Sequence, residues 1–143
     1  MPKSTAASNN ILNLMYRAVA WANVADNAAS SPITVVQLAF ATASYTISST
    51  LATAEATYTN YVRPTVPRTT GGWDAASGGA IANTNPVEGT QCGVTGNTLT
   101  SAATGKGAGA GEVWHYGDLN APIAVSNQIQ PRFPAGAITI TEA

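Results

Sequence analysis

Three side chains of this sequence belong to types that often act in catalytic sites: Lys106, His115 and Cys92. Lys106 follows a glycine, as the lysine of a phosphate-binding loop does. That loop also requires a glycine five residues before the Gly-Lys pair and a serine or threonine after it, and Thr100 and Gly107 occupy those places. We therefore interpret Lys106 as part of a glycine-rich loop without a phosphate site.

His115 is the one histidine of the chain, and Glu112 and Asp118 lie close to it in sequence. A hydrolytic triad needs a nucleophile positioned beside such a histidine, and the sequence contains no nucleophile-elbow motif. Because His115 stands between Trp114 and Tyr116, the segment is typical of a β-strand. We predict a structural histidine in a sheet, with a general base as the alternative.

Cys92 is the one cysteine, which excludes a disulfide within the chain. A zinc site needs more cysteine and histidine ligands than one of each. We predict a small packing residue at Cys92, and we expect no metal and no cofactor. The three tryptophans and five tyrosines would suit a sugar-binding platform, but core and interface packing require such rings first in a chain with two phenylalanines.

Charge is scarce along the chain. The 143 residues include six Lys+Arg and seven Asp+Glu, so that 9% are charged and the net charge is −1. Nucleic-acid binding by phosphate neutralisation is therefore not expected. No apolar run approaches the roughly 20 residues of a membrane span, and the N-terminus lacks the apolar core of a signal peptide. A surface built from Ser, Thr, Asn and Gly is typical of a protein covered by neighbours in an assembly.

The elements that must position these residues begin with a helix. Apolar residues recur at three- and four-residue spacing after Ser8 or Asn9, which predicts a helix over 8–22. Residues 1–9 are polar and predict an N-terminal arm that contributes nothing to the core. The helix carries apolar residues on more than one side, which predicts contacts with another subunit. The candidate inter-subunit contacts are Ile11, Met15 and Trp21.

Short β-branched and aromatic segments separated by Gly, Pro and Asn predict a β-rich body over 33–141. A glycine-rich surface excursion is predicted at about 96–111, and a long connection at 42–60. The predicted extended segments are 33–40, the sheet-edge segment 61–68, a hairpin over 73–83, 112–116, 122–125, 128–133 and 137–141. Together they predict one domain over 1–143, mainly β, with a β-sandwich or jelly-roll-like architecture and one N-terminal helix.

Several motifs, in order along most of the chain, resemble a family of small structural proteins of tailed-bacteriophage virions, the decoration-like and tail-fibre-like proteins. They include Gly72-Trp73 and His115-Tyr116-Gly117. The matching segments are residues 3–5, 10–14, 23–27, 32–34, 55–63, 72–73, 77–84, 115–117 and 126–140. The chain departs from the family pattern after Phe40 and in the length of its glycine-rich segment.

The resemblance implies a non-enzymatic virion protein. The leading hypothesis is a capsid decoration (cement) protein that bridges capsid subunits at the capsid surface. The expected partners are a second copy of the chain, with a trimer as the expected oligomer, and the major capsid protein or other virion proteins. The alternative is a tail-fibre or tail-tip protein that binds a host-surface receptor. The shortness of the chain and the absence of repeats or heptads favour the capsid.

Overall fold

The computed structural model describes residues 3–142, where one helix precedes eight strands. In chain order the elements are α1 (Thr5–Arg17), β1 (Val35–Ala41), β2 (Thr65–Pro67), β3 (Ala80–Ala82), β4 (Val87–Glu88), β5 (Asn97–Lys106), β6 (Glu112–Val125), β7 (Arg132–Phe133) and β8 (Thr139–Thr141). The predicted mainly β fold with one N-terminal helix is confirmed, and its sheets are antiparallel. The more specific sandwich or jelly-roll topology stays a prediction.

The largest sheet has four strands in the order β2-β1-β5-β6, and two further sheets pair β3 with β8 and β4 with β7. The edge position predicted for 61–68 is confirmed, since β2 lies at one end of the order. Pro64 and Pro67 explain this position, because a proline cannot donate to a ladder. No helix in residues 3–142 is long and apolar enough to cross a membrane.

The described residues divide into two compact units. Unit 1 comprises 3–36, 66–87 and 133–142, and unit 2 comprises 37–65 and 88–132. The prediction of one domain over 1–143 stays a prediction.

The helix of unit 1 is earlier and shorter than predicted, because α1 ends at Arg17 and not at residue 22. Its N-cap is Ser4, whose side chain accepts from the Ala7 N–H, so neither Ser8 nor Asn9 is the cap. At the other end Ala18 adopts the left-handed conformation, with φ 54°. The apolar spacing continues past this point, which is why it overestimated the helix.

The predicted polar arm at 1–9 is wrong for the residues that the structure describes. Residues 5–9 are helical, and Ser8 is buried. The Asn9 side chain accepts a hydrogen bond from the Gly79 N–H at 2.7 Å. Residues 1 and 2 lie outside the described residues. A polar residue thus contributes to this unit's own interior when its hydrogen bonds are satisfied there.

Unit 1 packs the helix against a tryptophan. The buried stripe of α1 is Ser8, Leu12 and Tyr16, and the Tyr16 ring meets Trp73 edge-on with centroids 4.7 Å apart. The predicted hairpin over 73–83 is confirmed by bridges on both sides of Gly78-Gly79. Both glycines have positive φ, as the two central residues of a type I′ hairpin turn require.

Unit 2 contains the long hairpin of β5 and β6, which contradicts the predicted excursion over 96–111. Residues 97–106 form a strand, and only residues 107–111 form the connection. Small residues permit this strand, because a Cβ at Gly105 would collide with the carbonyl group of Glu112 on β6. Gly105, one of the glycines that suggested a surface excursion, therefore allows a close approach of two strands.

Strand β6 joins two segments, 112–116 and 122–125, that the sequence predicted separately. Its pairing with β5 shifts between Leu99 and Ser101, leaving residues 119–122 as a bulge. Pro122 is tolerated in a bulge because no ladder bond is required there. The predicted 128–133 strand is reduced to β7, and 137–141 to β8.

Candidate functional site

The candidate catalytic residues of unit 2 take up structural contacts. Lys106 ends β5, is exposed, and pairs with Glu112 at 3.3 Å. Glu112 also accepts a hydrogen bond from Trp114 Nε1 at 3.0 Å. Cys92 is buried, and its thiol donates to the Thr95 carbonyl at 3.3 Å.

His115 lies in β6 opposite Thr104 of β5, so the predicted placement in a sheet is confirmed. It is half-buried, and the Thr104 hydroxyl donates to its carbonyl oxygen at 3.4 Å. Asp118 lies further along the strand, opposite Ser101. Among residues 3–142, no group of three or more His, Cys, Asp or Glu side chains could hold a metal ion.

The three candidate inter-subunit residues of unit 1 are separated by the early end of the helix. Ile11 and Met15 lie one turn apart on α1, and both are half-buried. Trp21 lies beyond the helix, in a turn that its backbone closes with Ala25. Their contact with another subunit stays a prediction.

A different surface, in unit 2, has the properties of a protein contact. It consists of three segments, residues 57–62, 89–97 and 126–131, which we call the loop cluster. None of the three contains Asp, Glu, Lys, Arg or His. Sequence reasoning assigned these segments to separate elements, among them the connection 42–60, the edge segment 61–68 and the extended segment 128–133, although the absence of charge from all three could be read from the sequence. What it could not show is that they lie together.

The first two segments are joined around Thr59. Its N–H donates to the Thr95 carbonyl at 2.8 Å, and its own carbonyl accepts from Gly93 at 2.9 Å. The Thr59 hydroxyl accepts from the Thr95 N–H at 3.0 Å. Nearby, the Val62 N–H donates to the Thr90 hydroxyl at 3.1 Å. These and further hydrogen bonds, such as that from the Thr90 hydroxyl to the Asn60 carbonyl at 2.6 Å, hold the two loops in one arrangement.

The second and third segments are joined around Cys92. Its N–H donates to the Ile129 carbonyl, and its carbonyl accepts from Gln128, both at 2.9 Å. The Gln130 side chain donates to the Gly89 carbonyl at 2.9 Å. The loop cluster is therefore ordered by backbone and side-chain hydrogen bonds between its segments.

Aromatic rings support the loop cluster from inside unit 2. Tyr58 is buried, donates to the Thr90 carbonyl at 3.1 Å, and meets the Tyr61 ring edge-on at 5.1 Å. Burial raises the pKa of both phenols above their ordinary value. A Cβ at Gly89 would crowd Pro131, so this glycine permits close packing of two loops.

Three exposed aliphatic side chains stand on the loop cluster, one on each segment. Val62 is 62% exposed, Val94 84% and Ile129 45%. Exposed apolar side chains on ordered loops without charge match the composition of protein interface cores, from which charged residues are depleted.

An ion pair of unit 2 fastens the connection between β5 and β6. Arg63 donates to both carboxylate oxygens of Glu55, at 2.8 and 2.6 Å, and the Tyr61 hydroxyl donates to the same carboxylate at 3.0 Å. Arg63 also donates to the Gly107 and Gly109 carbonyls. Its hydrogen bond to Glu55 is the main cause that raises the pKa of Arg63. These hydrogen bonds thus hold the glycine-rich connection, residues 107–111, in place.

The chain matches no protein-family model, and no curated protein matches it significantly.

Proposed function

We propose that this chain is a non-enzymatic structural protein of a tailed-phage virion, and that it acts as a capsid decoration protein. The motifs and their order along the chain resemble that family, which supports a role as a virion protein. The loop cluster is the single observation that supports a role by contact, because it offers exposed aliphatic side chains on an ordered, uncharged surface.

In the proposed mechanism, the loop cluster and other parts of the protein surface are buried between neighbouring subunits. Each Å² of apolar surface removed from water contributes about 25 cal/mol, and any partner that binds only the folded, assembled state stabilises it. The partners in this proposal are further copies of the chain and the major capsid protein, at the capsid surface. With six Lys+Arg in the chain, nucleic acid is not a partner.

Quantification of the protein in purified particles tests this function. In particles from a host that produces the chain, we expect a copy number comparable to that of the major capsid protein, and labelling at the shell. A copy number far below it, with labelling at the tail, would replace the capsid role by the tail-fibre or tail-tip role. Absence from all particles would overturn the proposal.

A further inference from the structure

We propose that copies of this chain associate with one another through the loop cluster, so that the partner covering Val62, Val94 and Ile129 is the loop cluster of another copy. This inference deepens the proposed function and rests on it for its biological setting, since it names the partner of the same surface.

The first step is the order of the loops. Val94 stands in a turn that is held on both sides, by the bond from the Cys92 thiol to the Thr95 carbonyl at 3.3 Å and by that from the Thr95 N–H to the Thr59 hydroxyl at 3.0 Å. Binding through a loop that is already ordered loses little conformational entropy. The exposed valine is therefore presented in one geometry before any partner arrives.

The second step is the combination of exposure with lack of charge. Isolated exposed aliphatic side chains are common on protein surfaces. Here Val62, Val94 and Ile129 stand on three loops that hydrogen bonds connect and that contain no ionisable side chain other than tyrosine and cysteine. Soluble surfaces normally intersperse charges to prevent association. The loop cluster has no charged side chains, which favours a surface that a partner covers in the functional state.

The third step identifies the occupant by charge. A charged partner would lose its hydration against this surface and gain no opposite charge in return. A second loop cluster brings no charge, and side-chain amides such as those of Asn60 and Asn127 both donate and accept, so amides of the two copies can pair across the contact.

The charges that flank the loop cluster are neutralised within the chain. Glu88 precedes the second segment and Arg132 follows the third, and the two side chains pair at 3.1 Å. Arg63, which follows the first segment, is paired with Glu55 at 2.6 Å. Two copies therefore approach without like-charge repulsion at the rim.

The test places a charge at Val94, the most exposed of the three aliphatic side chains. Val94→Asp should weaken association about tenfold or more, since copies around a symmetry axis would bring like charges together. The matched control is Ile47→Asp, because Ile47 is 96% exposed on a turn of the same unit outside the loop cluster, and association should be unchanged. Sedimentation velocity at micromolar concentrations measures association, and circular dichroism checks the fold.

A mixing experiment determines whether the loop cluster faces itself. Val94→Asp and Val94→Lys proteins should each be dissociated alone and should associate when mixed, because opposite charges then meet across the contact. Val62→Asp is the second variant if Val94→Asp does not fold. A monomeric wild-type protein, a Val94→Asp protein that associates like wild type, equal effects of Val94→Asp and Ile47→Asp, or no recovery on mixing would each overturn the inference.

Particle analysis separates the two proposals. If particles contain the chain but the purified protein is a monomer, the virion role stands and self-association through the loop cluster fails. If the protein associates through Val94 but no particle contains it, the virion role fails and the contact stands.

Discussion

At the scale of single residues, Asn83 of unit 1 shows how a buried polar side chain organises the chain around it. It has no exposed surface. Its amide donates to the carbonyls of Asn85 and Pro134 at 2.7 and 3.0 Å, and its oxygen accepts from the Ile138 N–H at 2.8 Å. The segment that leads into β8 is thereby attached to the hairpin that contains Asn83.

Replacing Asn83 tests this attachment. Asn83→Leu keeps the branched shape of the side chain but removes its hydrogen bonds to Asn85 and Ile138, whereas the Pro134 carbonyl still accepts from the Ala137 N–H at 3.1 Å. We expect the free energy of unfolding to fall by about 3 kcal/mol or more. Denaturant unfolding measures the loss. The control is Asn120→Ala at an exposed position, where the change should stay within about 0.5 kcal/mol. Equal stability of the two variants would contradict the role of Asn83.

A substitution of His115 distinguishes a structural role of this residue from a role as a general base in an enzyme. Because its placement is that of a sheet residue, His115→Gln should cost at most about 1–2 kcal/mol in the free energy of unfolding, and particle incorporation should survive. Thermal stability, incorporation and hydrolysis of candidate glycans are measured on the one variant. A selective loss of hydrolysis by about a hundredfold or more, with fold and incorporation intact, would establish the general-base alternative.

Tyr45 of unit 2 links stability to alkaline pH. Burial raises its pKa from the ordinary 10.0 to about 12. Since the folded state holds this proton more tightly than the unfolded state, the stabilisation is fully present below pH 10.0 and is lost as pH rises towards about 12. Tyr45→Phe should therefore reduce the fall in unfolding free energy across this range. An identical pH dependence in wild type and variant would contradict the prediction.

At the scale of elements, α1 depends on a residue far along the chain. Arg68 donates to the carbonyls of Leu14 and Met15, both at 2.6 Å. Both residues lie in the last turn of the helix, where carbonyls run out of intrahelical donors. The cationic guanidinium also lies where the helix dipole is negative. Burial lowers the pKa of Arg68 below its ordinary value, because desolvation disfavours the charged guanidinium that the two carbonyls bind. This tertiary contact helps to end the helix at Arg17.

Ala18 offers the sharpest test of that helix end. Its φ of 54° is unfavourable for alanine and favourable for glycine, so Ala18→Gly should raise the free energy of unfolding by about 0.5–1 kcal/mol. Ala6→Gly, inside the same helix, is the matched control and should lower it by about 1 kcal/mol. Denaturant unfolding compares the two, and destabilisation by both would show that α1 continues through Ala18.

At the scale of the whole molecule, residues 4–9 belong to the folded part of unit 1, as the N-cap and first turns of α1. The polar composition of residues 1–9 predicted an arm outside the core, which could be removed with the fold intact, and the burial of Ser8 contradicts its absence from the core. Their removal would delete the Ser4 cap, the first turns of α1 and the hydrogen bond from Gly79 to Asn9.

We therefore expect deletion of residues 1–9 to lower the thermal midpoint substantially and to reduce incorporation through unfolding, whether or not the segment contacts another subunit. Lys3→Ala is the control, because the ion pair of Lys3 with Glu142 lies at the surface and contributes at most about 1 kcal/mol. A deletion that melts like wild type but is not incorporated would instead support docking of the segment on a neighbour.

The local chemistry of the sequence was sufficient to predict several features of the fold. The fold class, the edge position of β2 and the Gly78-Gly79 turn follow from side chains that restrict their own backbone: β-branched residues in strands, proline without a donor, glycine at positive φ. The placement of His115 in a strand follows in the same way. These properties need no partner elsewhere in the chain.

The helix end, the β5 strand and the loop cluster depend on contacts between residues far apart in sequence. Arg68 meets the end of α1, Gly105 admits the backbone of β6, and Cys92 joins its loop to Ile129. The sequence shows which residues are able to make such contacts, but it does not show which of them lie next to each other in the folded protein. Composition by itself therefore determined that the surface carries little charge, whereas the tertiary structure alone gathered three uncharged segments onto one ordered surface, because hydrogen bonds and packing between loops decide their neighbours.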